Sequence, residues 1–218
     1  MKIFNSDILI KKTSCNCADL PGHPIPPSVN LFVKVTKGCN AHCAFCSNAG
    51  CQSPTSLFDI EKMIRIIYEL KSKGIIVNRM NITGGEPSVV PPLVVRILDA
   101  IDKEHFDDVH LHLNTNGVTV QAQDLMQHPR WDSISMSLHH YDVNRLSDLY
   151  GCEIPAHLLH FTGVDKQKIN FSCNLIKGYI DNKEEVRKML DLTLDTGIRR
   201  IGFVALMPVN SNFRNTII

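Results

Sequence analysis

The feature that most constrains this chain is an alternation. After residue 30, six short apolar stretches are separated by five stretches whose apolar residues recur at helical spacing. The strand pattern predicts residues 31–36, 79–83, 109–113, 133–138, 169–175 and 200–206. A helix over 56–73 carries Ile60, Met63, Ile64 and Ile67 on one face, with Ser56 and Asp59 resembling a capping box and Gly74 as its stop. Pro91 and Pro92 open a second helix whose apolar face is Val94, Ile97, Leu98 and Ile101. A weaker helix is expected over 119–127, and others over 142–150 and 182–196, the last closed by Gly197. Strands alternating with helices argue for parallel βαβ units. Right-handed crossovers would curl them into a barrel or spread them on both faces of an open sheet. A complete eight-stranded barrel takes about 250 residues. This chain of 218 residues has room for six units. The expected class is therefore α/β, a partial (β/α)6 TIM-like barrel. Residues 1–30, with Pro21, Pro24, Pro26 and Pro27, form a lead-in. Residues 31–218 form one core ending just after the sixth strand. In either arrangement the active site belongs beyond the C-terminal ends of the strands.

Composition narrows the function classes. Lys and Arg number 23 against 22 Asp and Glu, a net charge of +1. That balance excludes nucleic-acid binding by charge alone. No apolar run reaches the roughly 18 residues of a membrane span. Residues 1–12 lack the layout of a signal peptide, so a cytoplasmic location is expected. In that reducing compartment the eight cysteines are not expected to form disulfides.

Three of those cysteines share one loop. Cys39, Cys43 and Cys46 follow the first strand at spacings of four and three. Cysteine thiolates hold iron–sulfur clusters, usually four of them for a [4Fe–4S] cube. Three ligands leave one iron open to another molecule. A zinc site closed by His42 or Cys51 is the alternative on spacing alone. A second motif, Thr83-Gly84-Gly85-Glu86-Pro87, ends the second strand. Its glycines allow a close backbone approach, Glu86 adds a carboxylate and Pro87 stiffens the exit. Alone, such a turn is an ordinary strand-to-helix loop; beside a three-cysteine loop it points to a cofactor site.

Together these motifs resemble the radical S-adenosylmethionine (SAM) superfamily, whose signature is Cys-x3-Cys-x2-Cys with an aromatic before the last cysteine, here Phe45, followed by a GGEP turn. The resemblance runs over about 31–208. Asn114-Thr115-Asn116-Gly117 ends the third strand as Thr-Asn-Gly does in many members. Ser137 matches a fourth-strand serine near the SAM ribose. Asn174 to Gly178 looks like the turn beside the adenine, and Met207 like the methionine against it. The nearest subgroup is the molybdenum-cofactor GTP cyclase together with peptide-modifying enzymes that share its core. Two departures stand out. Phe32 and Asn81 occupy the places of substrate-binding arginines, which argues against the GTP substrate, and Leu138 is followed by His139-His140 instead of Asp.

The resemblance implies a [4Fe–4S] cluster on Cys39, Cys43 and Cys46. It implies SAM held by Phe45, Gly84, Gly85, Glu86, Asn116, Ser137 and Met207, with no residue assigned to the catalytic step on substrate. An electron from the cluster would cleave SAM to a 5′-deoxyadenosyl radical, which abstracts hydrogen from a peptide, protein or small metabolite. A low-potential donor such as flavodoxin or ferredoxin would reduce the cluster. The rival class is a non-catalytic iron–sulfur or zinc-binding module on a degenerate barrel.

Several residues have two readings. Cys15, Cys17, Cys51, Cys152 and Cys173 are either a second cluster or incidental thiols, with Cys173 expected in the strand core. His110 and His112 face either the lumen or the helices, and helix packing is the expectation. His139 and His140 lie at the active end, where either one of them touches substrate or SAM or both are solvent-exposed loop residues. Tyr141, Tyr150 and Tyr179 are either radical relays or packing residues, with packing the expectation, and Trp131 is expected to pack at the entry to the fourth strand. Glu86 is expected to reach the methionine amino group, directly or through the turn it shapes.

Overall fold

A computed structural model describes residues 2–3, 6–7, 27–46 and 58–206. Six parallel strands follow one another around a curled sheet in strict chain order. They are β1 (Ser28–Lys34), β2 (Ile76–Thr83), β3 (His110–Thr115), β4 (Ser133–Ser137), β5 (Ile169–Leu175) and β6 (Ile201–Ala205). The helices between them are α1 (Ile60–Ser72), α2 (Pro91–Lys103), α3 (Val120–Met126), α4 (Val143–Tyr150) and α5 (Lys183–Asp195). The fold is the partial TIM-like barrel the alternation predicts, in its curled rather than its open form. Lys2–Ile3 and Ser6–Asp7 pair as a short antiparallel ribbon.

Helix starts follow local chemistry. Asp142 accepts from the backbone N–H groups of Asn144 and Arg145, and Asn182 from those of Glu184 and Glu185. At α1 the expected capping box is not what forms. Asp59 is itself the N-cap, accepting from the N–H of Lys62 at 2.8 Å, and the helix starts at Ile60. Ser56 lies outside the described residues. β1 begins three residues before the predicted position 31 and ends at Lys34, leaving Thr36 free to support the following loop.

Strand alternation divides the sheet into two faces. Met80, Ile82, Leu111, Leu113, Ile134, Met136, Ile169, Phe171 and Cys173 are fully buried in one apolar core with the helix residues Ile67, Val94, Ile97, Leu98 and Ile101. Cys173 is thus the core thiol expected. Trp131 packs where the chain enters β4 and donates from Nε1 to the Leu125 carbonyl at 2.7 Å. The opposite parity, facing the lumen, is polar on three successive strands: His110, His112 and Asn114; Ser133, Ser135 and Ser137; Asn170, Ser172 and Asn174.

Candidate active site

The C-terminal ends of β1 and β2 are joined backbone to backbone. The N–H of Gly85 donates to the Thr36 carbonyl and that of Glu86 to the Gly38 carbonyl, each at 2.8 Å. Thr36 Oγ1 accepts from Gly38 N–H at 2.9 Å. A Cβ on Gly84 would lie 2.6 Å from the Thr36 carbonyl oxygen, and one on Gly85 only 2.0 Å from that of Gly38. The glycines therefore permit the approach of the cysteine loop to the turn, a contact within the chain.

Glu86 fixes the turn from beneath. Its carboxylate is 1% exposed and accepts three hydrogen bonds: from Ser88 N–H at 3.0 Å, Thr115 Oγ1 at 2.7 Å and Asn116 N–H at 2.7 Å. Burial pushes its pKa upward, and the donors from Asn116, Thr115 and Ser88 pull against that rise. All three of these bonds hold the turns themselves, to Ser88 on one and to Thr115 and Asn116 on the next. Asn116 continues the chain of contacts: its Nδ2 donates to Asn40 Oδ1 at 2.8 Å and lies 3.9 Å from Cys39 Sγ.

The cysteine loop is anchored a second time by the end of α4. The N–H of His42 donates to the Tyr150 carbonyl at 2.7 Å. The buried Tyr150 hydroxyl donates to the Ser137 carbonyl at 2.6 Å. Tyr150 packs, as expected, but its two bonds also connect the loop to β4. Nothing in the sequence marks this role.

These elements enclose a cavity of about 420 Å³. Cys39, Cys43, Cys46 and Phe45 border it on the loop, and Gly85, Glu86 and Asn116 on the turns. Ser137, His139, Ser172 and Asn174 complete it from the later strands. The structure thus brings together nearly all of the predicted site. Gly84 stands beside it, held against Thr36. Met207, Cys15, Cys17 and Cys51 lie outside the described residues. Ser172 was not predicted; its signal was available in the alternation of Asn170, Ser172 and Asn174.

One expectation is overturned. His110 and His112 face the lumen and not the helices. Their neighbours Leu111 and Leu113 take the fully buried positions, where an imidazole would lose its polar partners. Ser133 Oγ lies 2.7 Å from both His110 Nε2 and His112 Nδ1, and Arg79 Nη2 lies 3.2 Å from His110 Nε2. Burial, then the charges of Arg79 and His110, lowers the His112 pKa to about 4. Arg79 sits one lumen step before Asn81, so the lumen keeps a guanidinium even though Phe32 and Asn81 are not arginines.

The donor set fits a thiolate-held iron–sulfur cluster. Burial, reinforced by Cys46 and Cys39, pushes the Cys43 thiol up to about 12, so it ionises only when a cation takes the place of the proton. No group of three or more His, Cys, Asp or Glu among the described residues converges on a single-ion site. A cluster does not require such convergence, because each thiolate binds a different iron.

Known proteins resemble this chain in sequence and in fold. The family model described as the radical SAM superfamily matches residues 33–209. The chain belongs to the radical SAM superfamily. A probable GTP 3′,8-cyclase of Saccharolobus solfataricus is 26% identical over 190 residues, 84% of this chain and 58% of that protein. A probable GTP 3′,8-cyclase of Archaeoglobus fulgidus is 32% identical over 100 residues, 45% of this chain and 31% of that protein. Among solved structures, Streptococcus suis SuiB bound to S-adenosylmethionine superposes with a TM-score of 0.68 at 19% identity, over 88% of this chain and 44% of that one. A radical SAM methyltransferase from Sphaerobacter thermophilus gives 0.64 at 18% identity, over 83% of this chain and 56% of that one. The chain spans a little over half the length of the curated cyclases whose match runs through most of it.

Proposed function

We propose that this chain is the core of a radical SAM enzyme, with a [4Fe–4S] cluster and S-adenosyl-L-methionine as its cofactors. The observation that carries the reading is the shared cavity, bordered by three cysteines of one loop and by the glycine turn packed against that loop. When bound, the reduced cluster supplies the electron that cleaves SAM to the 5′-deoxyadenosyl radical, which takes hydrogen from the substrate.

In this reading Cys39, Cys43 and Cys46 hold the cluster. Gly84 and Gly85 keep the turn close to the loop, and Glu86 holds its shape from below, so that the turn's outer edge receives the methionine end of SAM. Phe45, Asn116 and Ser137 border the nucleoside. Met207 is assigned there by family resemblance alone. The reductant is a low-potential flavodoxin or ferredoxin in a cytoplasmic setting. The substrate is a peptide, protein or small metabolite that enters the polar lumen below the cavity. A structural neighbour, SuiB, has been captured with its precursor peptide SuiA, which favours testing peptides first.

Anaerobic reconstitution with iron and sulfide tests the proposal. A brown protein that converts SAM to 5′-deoxyadenosine under dithionite is expected. Stoichiometric zinc with no SAM turnover would instead favour the non-catalytic module.

A further inference from the structure

One lateral row of the sheet runs through Phe32. Phe32 is registered with Asn81, Asn81 with His112, and His112 with Ser133. Side chains of registered residues leave the same face, so Phe32 joins His112 on the lumen side. It is 74% exposed, the most exposed large apolar side chain among the described residues. Its chain neighbour Val33, on the other face, is buried.

The polar members of the row are engaged with one another and with the backbone. Asn81 is buried, and its Nδ2 donates to the Leu31 carbonyl at 3.2 Å. Ser133 Oγ lies 2.7 Å from the rings of both His110 and His112. Burial, then the charges of Arg79 and His110, lowers the His112 pKa to about 4, so this ring is neutral at pH 7. No member of the row is then charged, and the open one is a phenyl ring. The opposite edge of the sheet repeats the pattern. Val204 of β6 is registered with Asn174, borders the cavity and is exposed. Both edge strands thus offer apolar surface to a lumen that the strands between them line with polar groups.

An exposed phenyl ring gains by meeting apolar surface, whereas a phosphate laid on it would lose water and find no donor. We infer that Phe32 determines specificity: it selects a substrate that lays an uncharged apolar group, aryl or branched alkyl, on the β1 edge of the lumen. The inference deepens the proposed function, on which it rests for the lumen being the substrate's place. Lys34 and Arg79 stand one step to either side of the row on the same face, so a polyphosphate is the competing occupant.

The test uses the full chain, reconstituted with iron and sulfide and loaded with SAM. Saturation-transfer NMR measures dissociation constants for a set of probes. N-acetylphenylalaninamide stands for an amino-acid source of the ring and benzyl alcohol for a small-metabolite source. N-acetylglycinamide lacks the ring, and GTP carries the polyphosphate. Wild type, Phe32→Ala and Phe32→Tyr are compared, with folding checked by circular dichroism. A ring-bearing probe is expected to bind more tightly than N-acetylglycinamide and GTP, to weaken about 5-fold in Phe32→Ala and to hold in Phe32→Tyr. Whichever ring-bearing probe binds more tightly identifies the source.

Ring-bearing probes that bind no better than N-acetylglycinamide, that bind Phe32→Ala as well as wild type, or that GTP outbinds, would overturn the inference. 5′-Deoxyadenosine formation under dithionite, followed in the same samples, separates the two claims. SAM cleavage without ring binding overturns the inference alone. Ring binding without SAM cleavage overturns the proposed function alone.

Discussion

Glu86 accepts a hydrogen bond from the backbone N–H of Asn116 at 2.7 Å, and this contact joins the end of β2 to the end of β3. With Thr115 Oγ1 and Ser88 N–H on the same carboxylate, one side chain sets the spacing of two adjacent turns. Glutamine has only one oxygen for three donors and would point an amide N–H at one of them. Glu86→Gln is expected to cost about 1–3 kcal/mol, read as a lower urea midpoint with an unchanged m-value. Stability equal to the wild type would show that the carboxylate is not what ties the strands.

The two kinds of glycine predict unequal sensitivities. Gly85→Ala forces a methyl to within 2.0 Å of the Gly38 carbonyl oxygen, backbone that cannot give way without moving the cysteine loop. A loss of at least about 2 kcal/mol, or failure to fold, is expected. Gly178, with φ of +80° and nothing within 4 Å of an added Cβ, meets only the left-handed backbone penalty. Gly178→Ala should cost about 1–2 kcal/mol. Thermal denaturation of the pair checks the order, and a milder Gly85→Ala would contradict the loop contact.

Acid should weaken the fold in a defined window. Burial lowers the pKa of both His112 and His139 to about 4, with Arg79 and His110 adding to the effect at His112. In the unfolded chain both return to about 6.5. Between pH 6.5 and 4 the unfolded state binds more protons, so these residues' contribution to stability falls as pH falls and is constant above pH 7. Urea midpoints at pH 7 and pH 5 should therefore differ, and the difference should shrink in His112→Gln and in His139→Gln. An undiminished gap in both variants would assign the acid sensitivity to other groups.

Much of this was legible in the sequence because its signals are local. The buried face of α2 is the predicted set Val94, Ile97, Leu98 and Ile101, since helical spacing alone decides which residues meet the sheet. The cysteine loop and glycine turn fell together because parallel βαβ topology puts successive strand ends side by side. What was missed depends on tertiary geometry. Tyr150 meets the loop through His42, more than 100 residues away in sequence, and β4 through Ser137. The inward aim of the β3 histidines is carried in the sequence only by their shared parity with Asn114, whose place at the cavity depends on the curl of the sheet. The roles of Gly84 and Gly85 could not be read locally, because the backbone they approach lies more than 45 residues away.

The central claim is that the three loop cysteines support SAM cleavage. The most direct measurement is 5′-deoxyadenosine formation from SAM under dithionite, in anaerobically reconstituted wild-type and Cys43→Ala proteins whose circular dichroism spectra match. Product is expected from the wild type and none above background from Cys43→Ala. Undiminished 5′-deoxyadenosine from the folded variant would contradict it.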